Sequence, residues 1–298
     1  MPELYIEKPS GYKVTIQDHQ IEPMIYQPTY EGMVLLSEKY NEKYEIDIRI
    51  VNEVDFGDHE PTALKRIRRF KNNADIDTII ESEKPVGIIL MHGENHAIPI
   101  LFSREEDKKY MIIFDSSSGA RIPGHYPIGN DFPDFQVMIN LGTRQADGTS
   151  CITDAICILK DALRMEGLGS YLMQTKAVED DAKKDETREA PRLFFATSKP
   201  DNFTVFRMPE ELLKTAQRED FIEKSEADRK KMITKSNDTL DQKRYKDRAT
   251  VAFNGKPFEP TGINRYLHEK SKRHAEYLDK ILRGQGNDNP GIAAGARI

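Results

Sequence analysis

Apolar residues recur along this chain with two periods. Between residues 30 and 43, Met33, Val34, Leu35, Leu36 and Tyr40 take helical spacing, and over 44–54 Ile46, Ile48 and Ile50 alternate with polar positions as on a half-buried strand. A second helix is expected at about 60–71 and a short third at 76–81. Four runs rich in Ile and Val then follow in succession, at 86–91, 96–102, 110–114 and 135–141, each bounded by turn residues. They predict a core sheet. After them Ile152, Ala155, Ile156, Leu159 and Leu163 return to helical spacing, with Gly167 as a stop. Cys157 and Ile158 lie off that stripe, so this helix is apolar on more than one face and should be buried.

The flanks are weaker. The first thirty residues scatter Pro2, Pro9, Pro23 and Pro28 among polar residues and read as irregular. Residues 177–189, AVEDDAKKDETRE, form a charged insertion with too little apolar surface to join a core. Beyond it a helical stretch is expected at 209–217, a charged stretch to 231 and a final helix at 263–282. A block of strands between helical flanks gives an α+β class.

Composition narrows the role. At 298 residues the chain can bury a core without staples. No run approaches 18 uncharged apolar residues, and residues 1–10 lack the charged-then-apolar layout of a cleavable signal peptide, so neither a transmembrane segment nor such a leader is expected. Cys151 and Cys157 share one helix and point in different directions, which excludes a disulfide framework and suits reduced thiols in a cytosol. The formal charge of −6 is polarised: residues 229–283 hold 15 cationic against 7 anionic side chains, a net of +8. Such a tail is either a solvated helical face or a site for a polyanion. The acidic remainder argues against a general nucleic-acid binder.

One constellation carries chemistry. Cys151 stands in the first turn of the buried helix, where the positive helix end favours a thiolate nucleophile. Cys157, inside the helix, reads as a small buried hydrophobe. His96 opens the second strand and Asp115 ends the third, so antiparallel neighbours would set a carboxylate beside an imidazole, the base and orienter a cysteine nucleophile needs. His92 is the competing base; alternatively His96 is a strand-end surface residue and Asp115 a turn former. Gln145, six residues before Cys151, can fold its amide back to supply, with the Cys151 N–H, two oxyanion donors. No metal-ligand set stands out.

This order, His96, Asp115, Gln145, Cys151, resembles the cysteine peptidase clan CE that includes the ubiquitin-like-protein proteases and the YopJ family of bacterial effector acetyltransferases. The site motif alone does not separate the two. The segment Met33-Val34-Leu35-Leu36 with Tyr40, and the later order Met208-Pro209, Leu212 to Gln217, Thr239-Leu240, Arg244, Asn254-Gly255-Lys256 and Lys272 to Tyr277, are similar to the YopJ family. Ile152 stands in place of the usual glycine after the nucleophile, and Asp115 in place of the commoner glutamate.

The resemblance implies a papain-like, ubiquitin-like-protease-type core, a short mixed sheet plus the nucleophile helix, with helical regulatory segments at both ends. The corresponding organisation is an irregular segment at 1–32, the catalytic core with its preceding helix at 33–175, the exposed insertion at 176–192 and a helical regulatory region at 193–298. It further implies acetyl transfer from acetyl-CoA through Cys151 to Ser, Thr or Lys of host proteins, activated by inositol hexakisphosphate. Lys272 and Arg273 are then the first candidates for the activator, Lys243, Arg244 and Arg248 the next, and Lys235 a candidate for self-acetylation. Such an effector is secreted by a bacterium into host cytoplasm. The alternatives are a ubiquitin-like-protein protease with the same triad and a binding module whose triad is a relic.

Overall fold

The computed structural model describes residues 4–9, 13–16, 19–21, 24–52, 75–92, 96–116, 126–145, 150–175, 200–225, 227–247, 250–253, 256–258 and 265–284. Four short strands come first: β1 (Tyr5–Pro9), β2 (Lys13–Ile16), β3 (His19–Ile21) and β4 (Met24–Pro28). β1 pairs antiparallel with β4, and β2 with β3. The expectation of an irregular N-terminus is therefore corrected. Pro9 and Pro28 close their strands, in a sheet of only two, where a missing N–H interrupts no central ladder.

Helix α1 (Tyr30–Tyr44) is capped by Thr29, whose hydroxyl accepts from the Gly32 N–H at 3.2 Å, and ends where Glu45 turns left-handed at φ 55°. Then follow β5 (Ile48–Asn52), the short helix α2 (Asp75–Ile80), and three strands in antiparallel succession, β6 (Val86–His92), β7 (His96–Glu105) and β8 (Lys108–Ile113). After a short helix α3 (Tyr126–Asp131), β9 (Gln136–Asn140) lies parallel to β8. All four strands expected in the core are present. The helix expected at 60–71 and the insertion at 176–192 lie outside the described residues.

Helix α4 (Cys151–Ala162) is the buried helix of the sequence pattern, and α5 (Leu168–Gln174) follows Gly167, whose φ of 66° makes the turn between them. β10 (Phe203–Phe206) then adds to the sheet parallel to β9, giving a mixed six-stranded order β10-β9-β8-β7-β6-β5. A short 3-10 helix (Glu210–Thr215), α6 (Glu219–Lys224), α7 (Leu240–Asp247), the strands β11 (Thr250–Phe253) and β12 (Lys256–Phe258), and the long α8 (Arg265–Gly284) are the remaining described elements. β11 pairs with β2, so this C-terminal hairpin joins an N-terminal one in a second, four-stranded sheet.

Both faces of the six-stranded sheet are covered, which explains why its strands read as nearly continuous apolar runs. Ile89, Met91, Leu101, Ile112, Phe114 and Met138 pack with α1, α4 and α8. Ile88, Leu90, Ile100, Met111, Val137 and Ile139 face the other way, onto α2 and α3. Cys151 through Lys160 are buried without a break.

Gly32 marks how closely α1 approaches the chain's start. A Cβ there would stand 2.1 Å from the Leu4 carbonyl oxygen and 3.2 Å from Leu278 of α8. Both the N-terminal strand and the last helix thus lean on one bare position. Gly32→Ala should destabilise the protein by about 1–3 kcal/mol through overpacking, despite alanine's better helix propensity. A chemical denaturation midpoint at or above wild type would show that the Leu4 segment moves aside freely.

Candidate active site

Three elements of the sheet-and-helix core end at one place. β7 begins with His96, the chain leaves β8 through Phe114 into Asp115, and α4 begins with Cys151. The β7–β8 pairing, continued by the Phe114 N–H donating to the Pro99 carbonyl at 3.0 Å, fixes the side-by-side placement of the first two. His96 Nε2 lies 3.6 Å from Asp115 Oδ1, and Asp115 and Cys151 both act electrostatically on the imidazole. Asp115 and Cys151 are buried, while a quarter of the His96 side chain is exposed.

The electrostatics separate the two cysteines. Burial pushes the His96 imidazole down, but the hydrogen bonds and charges of Asp115 and Cys151 outweigh it and hold the group at about 9, against an ordinary 6.5. Cys151 thus faces an imidazole that keeps its proton at neutral pH. For Cys157, burial outweighs the charges of Lys160 and Lys270 and pushes the thiol up to about 11. His92 pairs with His96 across the β6–β7 hairpin, but its side chain lies outside the described ones.

Gln145 reaches the site through the backbone. The N–H groups of Arg144 and Gln145 both donate to the Ser116 carbonyl, at 2.9 and 3.1 Å, so these two residues are pinned to the residue after Asp115. Ser150 precedes the helix, and its hydroxyl receives the Gln217 side-chain amide at 3.4 Å.

Arg144 escaped the sequence analysis. Its guanidinium is 1 % exposed, pairs with Asp154 in the first turn of α4, and donates to the Thr215 hydroxyl at 3.4 Å and the Phe114 carbonyl at 3.4 Å. No local pattern marks an arginine for burial, because that residue type is almost never buried unless paired.

The residues expected to bind an activator are spread out. Lys243 and Arg244 lie on α7: Lys243 pairs with Asp247 and stands 4.5 Å from the Tyr266 ring centre, and Arg244 donates to Glu219 Oε2 at 2.6 Å and to the Ala216 carbonyl at 3.1 Å. Lys272 and Arg273 are exposed on α8 and, as consecutive helical residues, project about 100° apart. Arg273 pairs with Glu269 at 3.3 Å. Lys235 is exposed on the turn between Met232 and Thr239, and Arg248 lies outside the described residues.

A tighter group of cations appears where α1, α4, α7 and α8 meet. Lys43, Lys160 and Arg164 lie within 6 Å of the Tyr44 ring centre, and Lys243 and Lys270 within 6 Å of Tyr266. Lys39 stands 3.4 Å over Tyr277. Burial, then Lys43 and Lys270, push the Lys39 ammonium below its ordinary value. Burial likewise brings Lys243 down to about 8, with Lys214 and Lys246 opposing the pull of Asp238 and Glu269.

No protein-family model matches the chain, and no curated protein is significantly similar to it in sequence. Its fold is shared with solved structures. AvrA delL154 with IP6 and CoA superposes with a TM-score of 0.53 at 16 % identity, over 83 % of this chain and 86 % of that one. HopZ1a in complex with IP6 and CoA gives 0.54 at 10 % identity, over 83 % and 84 %, and HopZ1a with IP6 gives 0.52 at 11 % over the same shares. These neighbours are YopJ-family effectors, the family whose motifs the sequence resembles. The α+β class with a mixed sheet and buried helix is thereby borne out. Among the described residues no helix is long and apolar enough to cross a membrane.

The raised His96 value has a consequence for stability. A histidine whose value rises on folding contributes stability that is complete below its unfolded value, about 6.5, and is lost as pH climbs through about 9. Asp115→Asn removes the carboxylate responsible. The unfolding free-energy gap between wild type and Asp115→Asn should therefore narrow from pH 6.5 to 9 in denaturant titrations at fixed ionic strength. A gap constant over that range would mean that Asp115 does not hold the imidazole proton.

Proposed function

We propose that the protein is an effector acetyltransferase that carries an acetyl group from acetyl-CoA on Cys151 to Ser, Thr or Lys side chains of host proteins. The observation that carries this reading is the convergence of His96, Asp115 and Cys151, on a fold shared with AvrA and HopZ1a, each solved with IP6 and CoA. The protein would act in host cytoplasm after secretion.

The chemistry follows from the residues. Asp115 holds His96 through Nε2, which leaves Nδ1 for the sulfur, so the pair reacts as thiolate and imidazolium. The Cys151 sulfur bonds to the acetyl carbon, and the charge that develops on the carbonyl oxygen is met by the Cys151 N–H and the Gln145 amide. Collapse breaks the bond to the coenzyme A sulfur, which leaves as the thiol with the proton from His96. The neutral imidazole then takes a proton from the substrate hydroxyl or amine as that atom attacks the thioester. The acetyl group moves to substrate, and Cys151 leaves as thiolate beside a reprotonated His96.

Intact mass after incubation with acetyl-CoA tests this directly. Wild type and Cys157→Ala should gain one acetyl group on the enzyme, and Cys151→Ala and His96→Ala should gain none. Gln145→Ala should retain turnover reduced by about a hundred- to a thousandfold, the usual loss for one oxyanion donor. Equal loss from the two cysteine changes would sink the assignment. Cleavage of a ubiquitin-like fusion without acetylation would replace the acetyltransferase by a protease on the same triad.

Inositol hexakisphosphate is the proposed activator, and the cations around Tyr44, Tyr266 and Tyr277 fit such a polyanion. They come from several elements, and the lowered Lys39 and Lys243 reflect burial together with neighbouring positive charge. Inositol hexakisphosphate should raise the melting temperature strongly at low salt and less at high salt. Lys43→Glu with Lys270→Glu should lose that rise. Lys272→Glu with Arg273→Glu tests the alternative exposed site: loss of the response there, with Lys43 and Lys270 dispensable, would move the activator to the outer face of α8.

A further inference from the structure

We propose that Arg144 is a positioning residue that makes the Cys151–His96 geometry depend on the docking of the 3-10 segment and its continuation, residues 210–217. The proposal rests on Cys151 being the nucleophile and not on what group it transfers. Its basis is the set of contacts that meet on one buried side chain. Asp154, paired with the Arg144 guanidinium, lies one helical turn after Cys151 on the same side of α4, so the pair fixes the rotation of the helix start. The Phe114 carbonyl, accepting from Arg144 Nη2 at 3.4 Å, belongs to the residue before Asp115. Arg144 therefore holds the nucleophile's helix and the triad carboxylate's strand end at once.

The third set of contacts comes from the C-terminal segment. Arg144 Nη1 donates to the Thr215 hydroxyl at 3.4 Å, the Gln217 N–H donates to the Arg144 carbonyl at 3.0 Å, and the Gln217 side chain reaches Ser150 at 3.4 Å. Arg244 on α7 in turn donates to the Ala216 carbonyl at 3.1 Å. The segment thus touches both the loop before Cys151 and the side chain that orients α4. An arginine suits this task because a planar fork can serve several acceptors in fixed directions, which a lysine point charge cannot.

The test reads the Cys151 site without any acetyl donor. In the full chain, the rate of Cys151 alkylation by iodoacetamide is followed against pH by peptide mass spectrometry, and Cys157, inside α4 with its thiol pushed up to about 11, reports unfolding. Thr215→Val keeps the methyl group and loses the hydroxyl; Thr215→Ser keeps the hydroxyl and loses the methyl group. Thr215→Val and Gln217→Ala should slow Cys151 alkylation at pH 7 by about three- to tenfold and move its profile to higher pH, while Cys157 stays protected. Thr215→Ser should keep the wild-type profile. Arg144→Lys should show the largest shift; if it does not fold, the Thr215 and Gln217 variants decide. Superimposable Cys151 profiles in Thr215→Val, Gln217→Ala and wild type would overturn the proposal, as would equal effects of Thr215→Val and Thr215→Ser. Normal alkylation shifts with no acetyl-enzyme in wild type would leave the positioning role standing and remove the acetyltransferase.

Discussion

A guanidinium with 1 % exposure is the constraint around which this core is arranged. Taking Arg144 and Asp154 out of water is expensive, and the cost is offset only if the pair forms with good geometry and the remaining donors find acceptors. Breaking such a pair by removing one partner typically costs about 3–5 kcal/mol, a large share of a domain's net stability. Here the acceptors come from distant parts of the chain: Asp154 from α4, the Phe114 carbonyl from the end of β8, and the Thr215 hydroxyl from the 3-10 helix. Arg144 Nε is already buried without an acceptor among the described residues, so a structure in which any of them is displaced strips the charge of partners it cannot spare. The network therefore holds these three elements in one arrangement.

That rigidity matters at the neighbouring site, where the distances are less forgiving than in the core. The His96 to Asp115 separation of 3.6 Å is that of an ion pair slightly longer than an ideal hydrogen bond. Two devices keep it from opening. The β7–β8 ladder fixes the two strand ends relative to each other, and both Arg144 and Gln145 hang their N–H groups on the Ser116 carbonyl. Side chains from three sequence regions converge because sheet register, loop anchoring and helix rotation are each held by a separate set of bonds.

The core was legible in the sequence because its strands are buried on both faces, which turns them into unbroken apolar runs at 86–91, 96–102, 110–114 and 135–141. Antiparallel order between consecutive runs was enough to bring His96 to Asp115, since hairpin neighbours pair by default. What escaped has a common cause. β10 is four residues long and pairs in parallel with β9, a partner more than sixty residues away, so nothing local distinguishes it. β1 and β4 are stabilised by pairing with each other across the intervening strands, and their prolines, read as breakers, fall at strand ends. Arg144 is indistinguishable from a surface arginine until the fold brings Asp154, Phe114 and Thr215 to it.

The charge distribution shows the same limit of one-dimensional bookkeeping. The net of +8 over residues 229–283 suggested a reservoir of free cations in the tail. Much of that charge is spent at once: Arg229 on Glu219 and Asp241, Lys231 on Glu210 and Glu211, Arg244 on Glu219, and Lys246 on Asp238. Several of the acceptors lie outside the counted segment, so composition credited the tail with a charge that folding neutralises. Conversely, Lys39 and Lys43 come from a region counted as acidic, yet α1 carries them beside Lys270 of α8. Like charges held together at partly buried tyrosines are a local cost that the fold relieves only in part, through the Lys160–Asp161 and Lys243–Asp247 pairs. An anionic ligand would relieve it, and the structural link from that place to Cys151 runs through Lys243 and Arg244 on one helix, residues 215–217 and Arg144. The cationic group and Cys151 are thus connected through α7, residues 215–217 and Arg144.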